Sequence, residues 1–207
     1  MLVVDVQNDF CEGGSLAVEG GNAVAAMIAE YLASPAVSQY AHVVATRDHH
    51  IEPGSHFSAQ PDFVDSWPPH CVAGTSGAAV HPALDVSRFD EVFLKGEHAA
   101  AYSGFEGLSS GFAPHAQPVG GQLGNEAGQP LADWLRSHGV TAVDIAGIAT
   151  DYCVRATARD AVRFGFGVRV LIDLTAGVAS DSTAAAVQEM LSNGVQVLGG
   201  APVKPLE

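Results

Sequence analysis

Short β-branched runs alternate with longer helical segments along most of this chain, and that alternation restricts its fold more than any other feature. It is most regular in the second half. Residues 130–137 (PLADWLRS) read as a helix stopped by His138-Gly139, and 140–146 (VTAVDIA) as a strand. Residues 151–164 form a helix stopped by Gly165, 168–171 a strand, 181–191 a helix stopped by Asn193-Gly194, and 195–198 a last strand. In the first half, 2–6 (LVVDV), 42–46 (HVVAT) and 91–95 (EVFLK) read as strands, with 23–32 (AVAAMIAEYL) a helix. Strands and helices in this order predict an α/β fold: a three-layer αβα arrangement around a mainly parallel sheet. Right-handed crossovers then bring the carboxyl ends of the strands, and any ligand crevice, to one edge.

Two stretches break the pattern. Residues 47–77 form a long irregular loop rich in His, Pro, Asp and Trp, and loops of that length in compact domains usually carry function. Residues 109–128, dominated by Gly, Pro, Ser and Gln, read as a flexible surface insertion. The expected organisation is one domain over 1–207, since 207 residues with 47% hydrophobic and 15% charged content suffice for a single core. The abrupt opening of the first strand at Met1 suggests that leading residues precede it.

Charge and cysteine content exclude several function classes. Nine Lys+Arg against 23 Asp+Glu give a net charge of -14, which repels phosphate backbones and anionic lipid. Neither nucleic acid nor membrane is therefore an expected partner. No apolar run reaches the roughly 20 residues of a spanning helix, and the N-terminus has no secretory pattern. Three cysteines, an odd number in a chain too large to need disulfide staples, point to reduced thiols in a cytoplasm. Oligomeric state is left open.

The irregular loop holds a metal-ligand pattern. Asp48, His50 and His56 fall within TRDHHIEPGSHF, and His70 follows in SWPPHC. Imidazole with carboxylate suits a divalent transition ion such as Zn, Mn or Fe(II) better than Ca or Mg. The competing reading is chance clustering, for the chain has nine His and a single His is more often a surface or satisfied core residue. A zinc finger is the weaker metal reading, because Cys71 has no paired thiols. His49, alternating with His50, is expected to point away.

Cys153 lies in GIATDYCVRA, just inside a helix that follows a strand and a short turn. A thiol in a first helical turn feels the positive end of the helix dipole, which lowers its pKa. The bland alternative is a small buried hydrophobe. Topology favours chemistry: Asp5 ends the first strand, Lys95 ends the third, and Cys153 opens the helix after the fourth, so all three emerge on one sheet edge. Asp5 with a pKa raised by burial could take the thiol proton. Lys95 would stabilise the thiolate, and the turn before Cys153 offers N–H groups to an oxyanion.

The segments VVDVQNDFCEGGSLAV, D-H-H…H…WPPHC, FLKGEHAAAYSGFEG and GIATDYCVRATARDAV closely resemble the nicotinamidase/pyrazinamidase enzymes of the isochorismatase-like cysteine hydrolase superfamily, across nearly the whole chain. The resemblance implies a six-stranded sheet and a catalytic triad at Asp5, Lys95 and Cys153. It implies one divalent ion (Zn, Fe or Mn) held by Asp48, His50, His56 and His70. The family's pocket aromatics correspond to Phe10, Trp67 and Tyr102. Its peptide before the nucleophile turn, often cis, corresponds to Ile148-Ala149, with Ile148 counted among the substrate-binding residues and the N–H groups of Ala149 and Cys153 forming the oxyanion hole.

The implied reaction converts nicotinamide and water to nicotinate and ammonia through a Cys153 thioester, in NAD salvage, with pyrazinamide as a second substrate. The expected mechanism has the ring nitrogen bound by the metal and Asp5 moving the proton. Departures from the family pattern are Tyr152, where relatives often have His, Ser55 in place of an acid, and His49 in place of an aromatic. The alternatives are a related cysteine amidohydrolase for another small amide, and a catalytically silent metal-binding member of the fold.

Overall fold

The computed structural model describes residues 1–111 and 128–199. These build a seven-stranded sheet in the order β4-β3-β2-β1-β5-β6-β7. The strands are β1 (Leu2–Val4), β2 (Val44–Asp48), β3 (Glu91–Lys95), β4 (Leu108–Ser109), β5 (Ala142–Ile148), β6 (Gly167–Ala176) and β7 (Gln196–Leu198). All neighbours pair in parallel except β3 and β4. The helices are α1 (Gly21–Ala33), α2 (Leu131–Ser137), α3 (Arg155–Arg163) and α4 (Ser180–Ser192).

The α/β class and the parallel sheet are as the alternation predicts. The strand count is seven instead of the expected six because β4, two residues long, doubles back antiparallel along β3. Two residues are too few to leave a periodic signal. Most of the expected insertion at 109–128 lies outside the described residues, but its flanks are tied together. Ser109 N–H donates to Gln129 O at 2.9 Å, and Gln129 N–H donates to Ser109 Oγ at 2.8 Å.

Side-chain alternation along the strands divides the core between the two faces. Val3, Ala45, Val92 and Ala146 pack with Val24, Ala25, Ile28 and Leu32 of α1. Leu2, Val4, Val44, Phe93 and Ile145 pack with Leu131 and Leu135 of α2, Ala158 and Ala161 of α3, and Met190 of α4. Both faces are thus covered, which is why β1 reads as an unbroken apolar run. Each fully buried aliphatic side chain here contributes about 1.5–3 kcal/mol of transfer free energy.

The chain runs outward from β1 to β4 on one side, then crosses back to β5 and runs outward on the other. The strand order therefore reverses between β1 and β5, and the crevice at the carboxyl ends of these two strands is where an open parallel sheet binds ligands. The contact of β1 with β5 is close enough to demand a glycine. Gly147 has φ +127, and a Cβ there would lie 2.0 Å from Val4 O. Gly147→Ala is expected to cost about 3 kcal/mol or more of unfolding free energy, read as a lowered urea midpoint.

Candidate active site

The centre of the crevice is a buried ammonium group. The β2–β3 register sets Lys95 directly beside Asp48, and Lys95 Nζ makes a short ion pair with Asp48 Oδ1. It also lies 2.9 Å from Asp5 Oδ2, 3.2 Å from Ala101 O and 3.9 Å from Cys153 Sγ. Asp5 follows the end of β1 in the left-handed backbone region (φ 51). Asp tolerates that region better than most residues, at a cost of order 1 kcal/mol. Its Oδ1 accepts the Thr46 hydroxyl at 2.7 Å, while Oδ2 has the ion pair but no aligned hydrogen-bond donor.

Asp5, Asp48 and Lys95 are all buried. Two carboxylates share one ammonium, and the sharing is unequal. Burial pushes the Asp5 carboxyl up, against the opposing pull of Lys95. Burial acts the same way on Asp48, but the Lys95 charge outweighs it and holds that carboxylate below its ordinary range. Lys95 is raised well above its ordinary value: burial opposes its charge, and the two carboxylates more than compensate. The environments therefore separate a proton-accepting Asp5 from a permanently ionised Asp48.

Cys153 reaches this centre from the turn after β5. Ile148-Ala149 is a cis peptide, and residues Thr150–Val154 form a π-helical turn before α3. The N–H groups of Tyr152 and Val154 both donate to Ala149 O, at 3.1 and 3.0 Å. The helix start is thus wider than the α-helical turn expected. The thiol also departs from expectation, since its pKa lies well above the ordinary value, not below it. Burial is the main cause; Lys95 opposes it, while Asp5 and Asp48 add to it. The resting group is therefore a thiol, and the ammonium that lies 3.9 Å from its sulfur also lies 2.9 Å from Asp5 Oδ2.

On the other side of Asp48, His50, His56 and His70 are buried, with ligand atoms all within 4.8 Å of one another. The Nδ1 atoms of His50 and His70 lie 2.6 and 2.8 Å from Gly96 O and Pro68 O. A carbonyl can only accept, so each Nδ1 carries a proton, which in the neutral ring leaves a lone pair on Nε2. Gly96 is required for the first contact, because a Cβ there would lie 2.6 Å from the His50 ring. Asp48 Oδ2 faces the same space, 3.6 Å from His50 Nε2 and 3.9 Å from His70 Nε2.

Among the described residues, His50 Nε2 and His56 Nδ1 are buried without hydrogen-bond partners. Burial lowers the pKa of His70 and, helped by the other two rings, brings His56 down to about 4, so both stay neutral near pH 7. Neutral imidazoles with unpartnered buried nitrogens, facing a carboxylate oxygen, fit a divalent transition ion. His49, as expected, is not in the cluster.

Between the histidines and the thiol lies a cavity of about 220 Å³, lined by Phe10, Trp67, Tyr102, Ala149 and Cys153, with Asp48, His56 and His70 at one side. Trp67 Nε1–H donates to the Tyr102 hydroxyl at 3.1 Å. The three expected aromatics are therefore in place. Ile148 is not: as the last residue of β5 its side chain turns into the core beside α1, and Ala149 lines the cavity instead. Phe63, Leu16, Val18 and Tyr152, none of them among the expected substrate-binding residues, also line it, and of these only Phe63 lies outside the quoted motifs. A larger cavity at the opposite sheet edge, around His42, Asp144 and Arg169, contains none of the candidate residues.

Gln7 was also missed. Fully buried, it donates to Asp48 O and Ala78 O and accepts from Asp48 N–H, clamping the Asp48 peptide on both sides. Its place two residues after Asp5 was the only available hint.

An isochorismatase domain model matches residues 1–201. The nicotinamidase/pyrazinamidase of Mycobacterium tuberculosis is 55% identical over 198 residues, covering 96% of this chain and 97% of that protein. The zinc complex of Pyrococcus horikoshii pyrazinamidase superposes with a TM-score of 0.75 at 35% identity, over 96% of this chain and 97% of that one. The nicotinate complex of PnC1 from L. infantum gives 0.76 at 34% identity, over 95% and 90%.

Two outcomes follow from the electrostatics. Lys95→Met leaves two buried carboxylates without their cation and is expected to cost about 3–5 kcal/mol in chemical denaturation. For metal-free protein, the lowered pKa values of His56 and His70 mean that the unfolded chain binds more protons below the ordinary imidazole value of 6.5. Their contribution to stability is complete above pH 6.5 and is lost as pH falls towards about 4, which denaturant midpoints measured across that window would register.

Proposed function

The chain belongs to the isochorismatase-domain family, and from that membership we propose that it is a nicotinamidase, a hydrolase that opens the amide C–N bond of nicotinamide to give nicotinate and ammonia. Pyrazinamide, with the same carboxamide on another single nitrogen-containing ring, is the proposed second substrate. The observation that carries this reading is one small aromatic cavity with the Cys153 thiol and, from the histidine cluster, His56 and His70 at its walls. At about 220 Å³ it is below the roughly 300–1,000 Å³ of sites for drug-sized molecules, which suits a single ring.

In the proposed mechanism Phe10, Trp67 and Tyr102 enclose the ring and exclude water. Asp5 takes the Cys153 proton, and Lys95 stabilises the thiolate. The sulfur attacks the carboxamide carbon, and the N–H groups of Ala149 and Cys153 face the resulting oxyanion. Asp5 returns its proton to the amine as the C–N bond breaks, so ammonia leaves and a thioester remains. Asp5 then deprotonates a water that attacks the thioester, giving the carboxylate and restoring the thiol. Asp48, His50, His56 and His70 would hold the divalent ion, which when bound supplies a Lewis acid for the ring nitrogen.

The donor set suits zinc, iron or manganese. Zinc is the first to test, because the Pyrococcus pyrazinamidase structure is a zinc complex. A reducing cytoplasm is the proposed compartment, in keeping with three buried, unpaired cysteines.

Ammonia release from nicotinamide, measured with metal added back after chelation, tests the reading; no release with any of the three ions would defeat it. Cys153→Ala should lower turnover at least about a thousandfold while metal content is unchanged. His56→Ala should lower metal content and turnover together, by at least about tenfold.

A further inference from the structure

Tyr152, the residue before the nucleophile, separates two hollows. One is the substrate cavity. The other is a groove of about 350 Å³ whose lining includes Arg155, Arg159 and Ser182. Tyr152 and Tyr102 line both, so the partition between them is formed by these two rings, 6.1 Å apart and tilted by 30°.

The two rings are not equally replaceable. Tyr102 is anchored by the Trp67 indole N–H and by its own backbone N–H, which donates to Glu106 at 2.8 Å. Tyr152 is half-buried and meets Trp67 edge-on, with centroids 5.1 Å apart at 88°. Its hydroxyl reaches Phe63 O at a long 3.4 Å. Packing of the ring, more than its hydroxyl, holds it in the gap.

We propose that the Tyr152 ring is the specificity-determining element that closes the substrate cavity against the arginine-lined groove and restricts the enzyme to single-ring amides. The inference rests on the nicotinamidase reading of the cavity. A fused second ring on the substrate needs space beyond a cavity of about 220 Å³, and the groove is the space next to it across the partition. Removing the Tyr152 ring joins the two hollows. Because the excluded part of a larger substrate is apolar bulk, the discrimination is steric and should be relieved by shortening one side chain.

The test compares nicotinamide with quinoline-3-carboxamide, which keeps the same relation of ring nitrogen to carboxamide and adds a fused ring. The ratio of kcat/KM for the two amides should fall at least about tenfold in Tyr152→Ala and in Tyr152→Leu, through a gain on the bicyclic amide. Tyr152→Phe, which loses only the hydroxyl contact, should still discriminate against the bicyclic amide. Calorimetric titration of both amides into metal-loaded C153A and C153A/Y152A reads the same ratio without turnover. If wild type releases no ammonia from nicotinamide, the nicotinamidase reading fails, and the titrations still decide the role of the ring. The proposal is overturned if Tyr152→Ala and Tyr152→Leu keep a kcat/KM ratio, and C153A/Y152A a Kd ratio, within about threefold of their parents, or if Tyr152→Phe relaxes the kcat/KM ratio as far as Tyr152→Ala.

Discussion

A lysine buried between two carboxylates is the constraint around which this site is arranged. Removing an ammonium group from water costs several kcal/mol, and only close opposite charges offset that cost. Lys95 has them because parallel pairing of β2 with β3 places Asp48 beside it, and because the chain turns at Asp5 directly after β1. Each partner then acquires a different character. Asp48, held ionised, faces the histidines; Asp5, shifted towards protonation, faces the thiol. One cation thus links the metal-ligand side of the cavity to the nucleophile side.

In the proposed mechanism reactivity comes from proton placement more than from a pre-formed thiolate. A fully buried thiol near two carboxylates is a poor acid, whatever the polarity of the helix it opens. Lys95 Nζ lies 3.9 Å from the sulfur and 2.9 Å from Asp5 Oδ2, so in the proposed mechanism ionisation is a local transfer with the cation close to the developing charge. The same burial keeps the imidazoles neutral, which leaves their lone pairs available to an ion. Dehydration thus favours neutral imidazoles but opposes the thiolate, and at the sulfur the nearby Lys95 cation works against it.

Much of this was legible before folding. Glu91–Lys95 is a strand as read from EVFLK, and α4 differs from its reading by one residue at each end. Asp48, His50, His56 and His70 were grouped by spacing, and they meet in space because one loop carries the last three from the end of β2. The errors share a cause. β4, the π-helical turn and the extension of β6 to Ala176 beyond the bulge near Gly147 depend on neighbours in space, and none has a local period. Ile148 was placed in the pocket by the family resemblance, whereas β5 runs on to Ile148 and its alternation sends that side chain into the core.

The sequence by itself determined the α/β class, the sheet edge on which the reactive residues emerge, and the donor types available to a metal, because hydrophobic period, turn residues and side-chain chemistry are local properties. Only the tertiary structure decided how charge is distributed among Asp5, Asp48 and Lys95, which way burial moves the Cys153 thiol, and that Gln7 clamps the peptide of Asp48. It also decided that Tyr152 stands between two hollows. Those outcomes depend on distances between residues far apart in the chain and on the exclusion of water, and neither quantity exists until the sheet has closed over its two cores.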